Sequence, residues 1–250
     1  MKTRFWIALI PALLGAADVA KLQQLFDPKS TATQRSNVCF ELRGNSDPEV
    51  IRAMSRALDD QELVACAADN LRIANAVEPL KQALSSPNEQ ARSAAARELG
   101  SFQDLTLLES LSRAAQDANA LVASNALEAL SEYRDAAVIP YLAALAKKGG
   151  MIGDMALERV LQLDSSVALS IARPLLESAQ VPDKLYAMRT IGAAGDRSDL
   201  PELRKIATSK EEAPVQRSRG FGLMPPINLA RAAQSAIAAI EARNLQPPLN

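Results

Sequence analysis

Leu130-Ser-Glu-Tyr-Arg-Asp-Ala-Ala-Val-Ile-Pro-Tyr-Leu142 and Ile191-Gly-Ala-Ala-Gly-Asp-Arg-Ser-Asp-Leu-Pro-Glu-Leu203 follow one template. Each begins on a large aliphatic residue that ends an alanine-rich run, passes an acidic turn and enters a second apolar stretch with proline near its start. Comparable anchors recur along the chain as Leu42, Leu71, Leu99, Leu130, Val160, Ile191 and Ile237, at intervals of 29, 28, 31, 30, 31 and 46 residues. A fixed period of this length is the mark of a repeat architecture, in which no unit buries its apolar face without a neighbour. Four residues before each anchor stand Val38, Ala67, Ala95, Ala126, Ala156, Ala187 and Ala233. On a helix an i−4 neighbour shares the anchor's face, and a small one lets adjacent helices approach.

Nine and twelve residues after the anchors a second apolar pair recurs: Ile51 and Met54, Leu108 and Leu111, Ile139 and Leu142, Leu169 and Ala172, Leu200 and Leu203. After Leu71 the pair is Val77 and Leu80, three positions early, which predicts a shortened turn. Gly44, Gly100 and Gly192 follow their anchors, where helix C-termini favour glycine. Ser86-Pro87-Asn88-Glu89 reads as a capping box with proline at the first helical position, and Asp47-Pro48-Glu49 as a second helix start. No segment alternates like a strand. The expected fold is all-α, an α-solenoid of about seven helix-pair repeats.

Segments 130–142 and 191–203 resemble bacterial HEAT repeats of the phycobilin-lyase-like class, and the resemblance covers residues 32 to 243. It implies a HEAT-like, armadillo-type superhelix whose second helices line a concave face. It says little about activity, because a fold hosts functions without implying one.

Composition narrows the chemistry. Apolar residues make up 48% of the 250 positions but aromatics only 4%, which suits many small helix–helix contacts. Histidine is absent, so the commonest general base and metal ligand near neutral pH is missing. The formal charge of −1 offers no excess of Lys and Arg, which argues against a nucleic-acid partner. No glycine-rich phosphate cradle, clustered metal ligands or nucleophile elbow is evident. Asp59-Asp60 and Glu211-Glu212 read as acids favoured at helix N-termini rather than catalytic pairs. The expectation is a non-enzyme without cofactor or metal.

At the N-terminus Lys2 and Arg4 precede an apolar run, Phe5 to Leu14, and the small residues Gly15-Ala16-Ala17. This is the pattern of a secretory signal peptide over residues 1–17; the alternatives are an uncleaved anchor or a first core helix. The expected order continues with a lead-in over 18–31, the array over 32–243 with an insertion at 209–226, and a tail over 244–250. Cleavage before Asp18 leaves no membrane span and predicts a periplasmic or secreted protein. Cys39 and Cys66 are the only cysteines. In an exported chain they predict a disulfide between neighbouring repeats; otherwise they are two packed thiols.

Two regions are candidates for contact with another protein. Arg56, Gln82, Arg113 and Lys205 fall at one solvent-facing position of successive second helices, with Arg52, Tyr141, Arg173 and Arg204 nearby, and so form a broken basic row or merely a solvated face. The insertion carries Arg217, Arg219 and Phe221, types enriched at binding hot spots, and either docks a partner or caps the stack. Three functional classes follow: an exported protein-binding scaffold or adaptor, a lyase-like subunit acting on a tetrapyrrole-carrying protein, which the resemblance suggests, and a mainly structural scaffold with no stable partner.

Overall fold

The computed structural model describes residues 16–208 and 228–245. Among them lie fourteen α-helices, a few short 3-10 turns and no strand. Two compact units divide the chain after Glu132. The first holds α1 (Ala16–Leu25), α2 (Ala32–Glu41), α3 (Pro48–Ala57), α4 (Val64–Ile73), α5 (Val77–Ala83), α6 (Glu89–Leu99), α7 (Leu108–Ala114) and α8 (Ala120–Glu132). The second holds α9 (Ile139–Ala146), α10 (Gly150–Leu163), α11 (Ser165–Leu175), α12 (Val181–Ala194), α13 (Leu200–Thr208) and α14 (Leu229–Leu245).

The anchor residues lie on or just after α2, α4, α6, α8, α10, α12 and α14. All except Ile237 are fully buried, as are their i−4 neighbours Ala67, Ala95, Ala126, Ala156, Ala187 and Ala233, with Val38 nearly so. Ile237 is half-buried because no element after α14 covers it among the described residues. Within each unit successive anchor helices stack in chain order: α2 on α4, α4 on α6 and α6 on α8 in the first, α10 on α12 and α12 on α14 in the second. This is the α-solenoid arrangement, and each buried Leu or Ile in the columns contributes roughly 1.5–3 kcal/mol.

The pairing is offset from the sequence-based frame. Of its two neighbours in sequence, each anchor helix packs more against the one before it, giving the pairs α1–α2, α3–α4, α5–α6, α7–α8, α9–α10, α11–α12 and α13–α14. α1 is therefore a packed partner of α2, with Leu25 buried, and the expected cleavage point before Asp18 falls within its first turn. The second-helix stripe also sits one residue earlier than spacing alone implied. Val50, Leu107, Val138 and Ala168, eight after their anchors, are buried with Met54, Leu111, Leu142 and Ala172, whereas Ile51, Ile139 and Leu169 are half-buried. An i, i+4 pair lies more nearly on one face than does the i, i+3 pair read from the sequence, and the helix turns the tighter stripe inward.

Punctuation explains the boundaries. Asp47, Asp104, Asp135, Asp164 and Asp196 each cap the turn entering the next helix, their carboxylates accepting backbone N–H groups at 2.7–2.9 Å, so the acidic turns are N-caps. The repeat of Leu71 has no such aspartate and turns in three residues, with Asn75 left-handed at φ 56°. Asn88, not Ser86, caps α6: its Oδ1 accepts from Gln90 N at 2.9 Å, which places Pro87 outside the helix. Gly44 is left-handed at φ 77°, as a C-terminal glycine should be. Gly100 and Gly192 instead serve close approach. A Cβ on Gly100 would lie 2.8 Å from Ala129 Cα, and one on Gly192 would lie 3.0 Å from Ala236 Cα.

Candidate functional site

The Cys39 and Cys66 sulfurs are joined, with Cα atoms 6.3 Å apart, so a covalent bond links α2 to α4. Buried Asn70 sits beside it. Its amide donates to Cys39 O at 3.0 Å and Cys66 O at 3.1 Å, while its Oδ1 accepts from Gly44 N at 3.2 Å. One side chain thus satisfies backbone groups of two neighbouring anchor helices and the turn between repeats, a buried polar set with its partners in place.

The residues of the expected basic row occupy exposed positions on α3, α5, α7 and α13, but each has a local partner. Arg113 pairs with Glu109 at 3.0 Å and Lys205 with Glu202 at 2.6 Å, both within one helix turn. Arg52 pairs with Glu49, and Gln82 donates to Glu78 at 3.3 Å. The Arg56 guanidinium lies 4.4 Å from the centre of the Phe26 ring, a cation–π contact that ties α3 to the chain after α1. These faces alternate in sign rather than presenting a basic stripe. The hydrogen bond that Lys205 donates to the Glu202 carboxylate holds its ammonium above the usual range.

Other arginines join one repeat to the next. Arg92 makes a two-pronged contact with Asp117 at 2.7 and 3.1 Å, and Arg35 bonds Asp60 from the equivalent place two repeats earlier. Arg173 grips the buried Asp199 carboxylate at 2.8 and 3.2 Å, and Arg204 reaches Glu241 at 3.2 Å. Arg173, placed near the row by spacing, is thereby an inter-repeat tie, whereas Arg204 joins α13 to its own pair partner α14. Tyr141 is half-buried on α9, in the second unit. Arg217, Arg219 and Phe221 lie outside the described residues, as does most of the expected signal segment.

Exposed apolar side chains were missed in the sequence. Phe40 on α2 is 59% exposed and Leu121 on α8 is 62% exposed. The signal for Phe40 was available: two residues before the anchor, the other repeats carry Asp69, Arg97, Glu128, Glu158, Arg189 and Ser235. The fold asks for a polar residue there, and this chain offers an aromatic ring beside a cystine-linked repeat.

Residues 77–150 match the family model for HEAT repeats. HEAT repeats thus occupy that stretch of the chain. No curated protein matches it in sequence. Among solved structures, human deoxyhypusine hydroxylase in complex with glycerol is similar at 18% identity and TM-score 0.38, over 90% of this chain and 96% of that one. The complex of CpcE and CpcF of phycocyanin lyase from Nostoc sp. PCC7120 is similar at 18% identity and TM-score 0.43, over 100% and 95%. A designed armadillo repeat protein is similar at 18% identity and TM-score 0.38, over 88% and 98%. No helix among the described residues is long and apolar enough to cross a membrane.

Proposed function

We propose that this chain is an exported, non-enzymatic scaffold that captures another protein through the solvent face of its HEAT repeats. The observation that carries the reading is Phe40, an aromatic side chain 59% exposed in a column where the other repeats place polar or charged residues. Aromatic anchors dominate binding energy where a partner can desolvate them, and a solitary exposed ring has no role in holding the stack. Export is supported by the basic-then-apolar start of the sequence and by the Cys39–Cys66 bond, since structural disulfides persist in oxidising compartments. The locally paired charges of α3, α7 and α13 favour a partner recognised by shape and apolar contact over one recognised by net charge. The insertion at 209–226 is proposed as a second contact, which deletion of residues 215–224 tests separately: partner capture falls and thermal stability does not.

The deciding experiment is affinity capture by the mature form, beginning near Asp18, from its native compartment. The expected result is one protein retained in fixed proportion. Recovery of the chain only from the cytoplasm with its first seventeen residues intact, or retention of nothing in fixed proportion, would overturn the proposal. A coloured, tetrapyrrole-bound protein after coexpression would instead favour the lyase-like reading, which rests on sequence resemblance alone.

A further inference from the structure

Two aspartates in the second unit stand where the repeat asks for small or apolar groups. Eight residues before the anchors, other repeats bury Leu63, Ala91, Val122 and Leu229; the repeat of Ile191 buries Asp183, 6% exposed. Six before the anchors stand Ser36, Ala65, Ser93 and Ser124, with Leu185 and an exposed Arg231 in the last two repeats; the repeat of Val160 places Asp154 there, 2% exposed. The Asp183 carboxylate is well satisfied. Ser178 Oγ donates to it at 2.7 Å and Gly150 N at 3.1 Å, and a Cβ on Gly149 would lie 2.7 Å from it. That contact and the left-handed φ of 67° and 68° explain the glycine pair that turns α9 into α10. Asp154, one turn further along α10, is not satisfied: its Oδ1 is buried with no hydrogen-bond partner.

We propose that Asp154 and Asp183 form a proton-operated latch between α10 and α12: protonated Asp154 lets the two helix starts pack closely, and ionised Asp154 loosens them. The physical basis is local. Ionisation would leave a buried carboxylate with an unpaired oxygen beside a second negative charge, and both features penalise the charged form. The other charged groups on the elements packed against α10 have their own places. Arg173 on α11 is held by Asp199, Arg189 on α12 pairs with Glu158 at 2.9 Å, and Lys147, Lys148 and Lys184 flank the turn and the α12 start. The charge that bears on Asp154 is that of Asp183. Burial first, and that charge second, push the Asp154 carboxyl up to about 6 from 3.8.

The sign follows from linkage. A carboxyl with a raised folded-state pKa binds its proton more tightly folded than unfolded, so stability falls as pH climbs from about 4 to about 6 and levels off above. The full change in the folding equilibrium is on the order of 100-fold. Carboxylates with lowered pKa, such as Asp117 and Asp164, act in the opposite sense at acid pH, so the difference between variants isolates the latch. Urea unfolding of the mature chain should be followed from pH 4 to 7.5 for wild type, Asp154→Asn, Asp154→Ser and Asp183→Asn, with hydrogen exchange over residues 149–154 and 180–186. Relative to either Asp154 variant, wild type should lose tens-of-fold in stability between pH 4 and 7. Protection in those two segments should fall over the same range after correction for intrinsic exchange, and Asp183→Asn should move the midpoint to lower pH. Serine stands at this position in three other repeats, as Ser36, Ser93 and Ser124, so it keeps the test open if asparagine disturbs the fold. Parallel pH profiles for wild type and both Asp154 variants, or a pH-dependent loss of protection elsewhere, would overturn the proposal.

Discussion

Removing the Cys39–Cys66 bond tests how the first unit is held. The cysteines are 27 positions apart, so the bond closes a loop of about 28 residues. On the chain-entropy relation, that loop restricts the unfolded chain by roughly 12 cal/mol/K, or about 3.6 kcal/mol at room temperature. The native state has little to lose in return, because Asn70 still bridges the Cys39 and Cys66 carbonyls without the sulfur link. Replacing both cysteines by alanine should therefore lower the unfolding free energy by about 3–4 kcal/mol while leaving helix content unchanged. Urea unfolding by circular dichroism, with wild type run oxidised and reduced, gives the comparison directly. Hydrogen-exchange protection should fall most over residues 39–66, which the bond encloses. Equal midpoints for oxidised and reduced protein, with equal slopes, would refute the reasoning, as would two thiols reactive in the chain purified from its native compartment.

Three other substitutions probe the stack. Gly100→Val should cost about 1–3 kcal/mol through overpacking, because its Cβ falls 2.8 Å from the Ala129 backbone; thermal melts should show it, whereas the same change at Gly150 meets no neighbour and costs only backbone strain. Leu111→Ala, at a fully buried position of α7, should destabilise by about 2–5 kcal/mol in denaturant titrations. Arg92→Ala should cost about 1–3 kcal/mol, since it leaves the half-buried Asp117 carboxylate without its charged donor. Hydrogen bonding from Arg92 holds Asp117 below its usual range, so its contribution is present above the ordinary carboxylate pKa and is lost as pH falls through the lowered one. The variant's deficit should accordingly shrink toward strongly acid pH.

The fold was legible because its periodicity is carried by bulk and hydrophobicity, which sequence records directly. The columns from Leu42 to Ile191 and their alanine neighbours are buried where spacing placed them. Pair assignment was not legible. Turn length does not decide whether α4 leans on α3 or α5, since the three-residue turn leads to α5 while α4 packs more on α3, and both neighbours carry the same stripe. Charged residues were misleading for a related reason. Arg173 looks like any exposed helical arginine until Asp199, 26 residues on, takes it up in the next repeat. The buried aspartates could have been found by asking which residues break a column, since Asp183 and Asp199 sit where other repeats place Val122 and Leu107. The same question singles out Phe40 on the outside.

Binding of the captured partner to wild type and to Phe40→Ser, measured as paired isotherms alongside melting curves, addresses the functional account most directly. Affinity should drop about tenfold or more, as loss of an aromatic anchor does, with the melting curve unchanged because the ring is 59% exposed. Undiminished affinity in a folded Phe40→Ser protein would contradict the account.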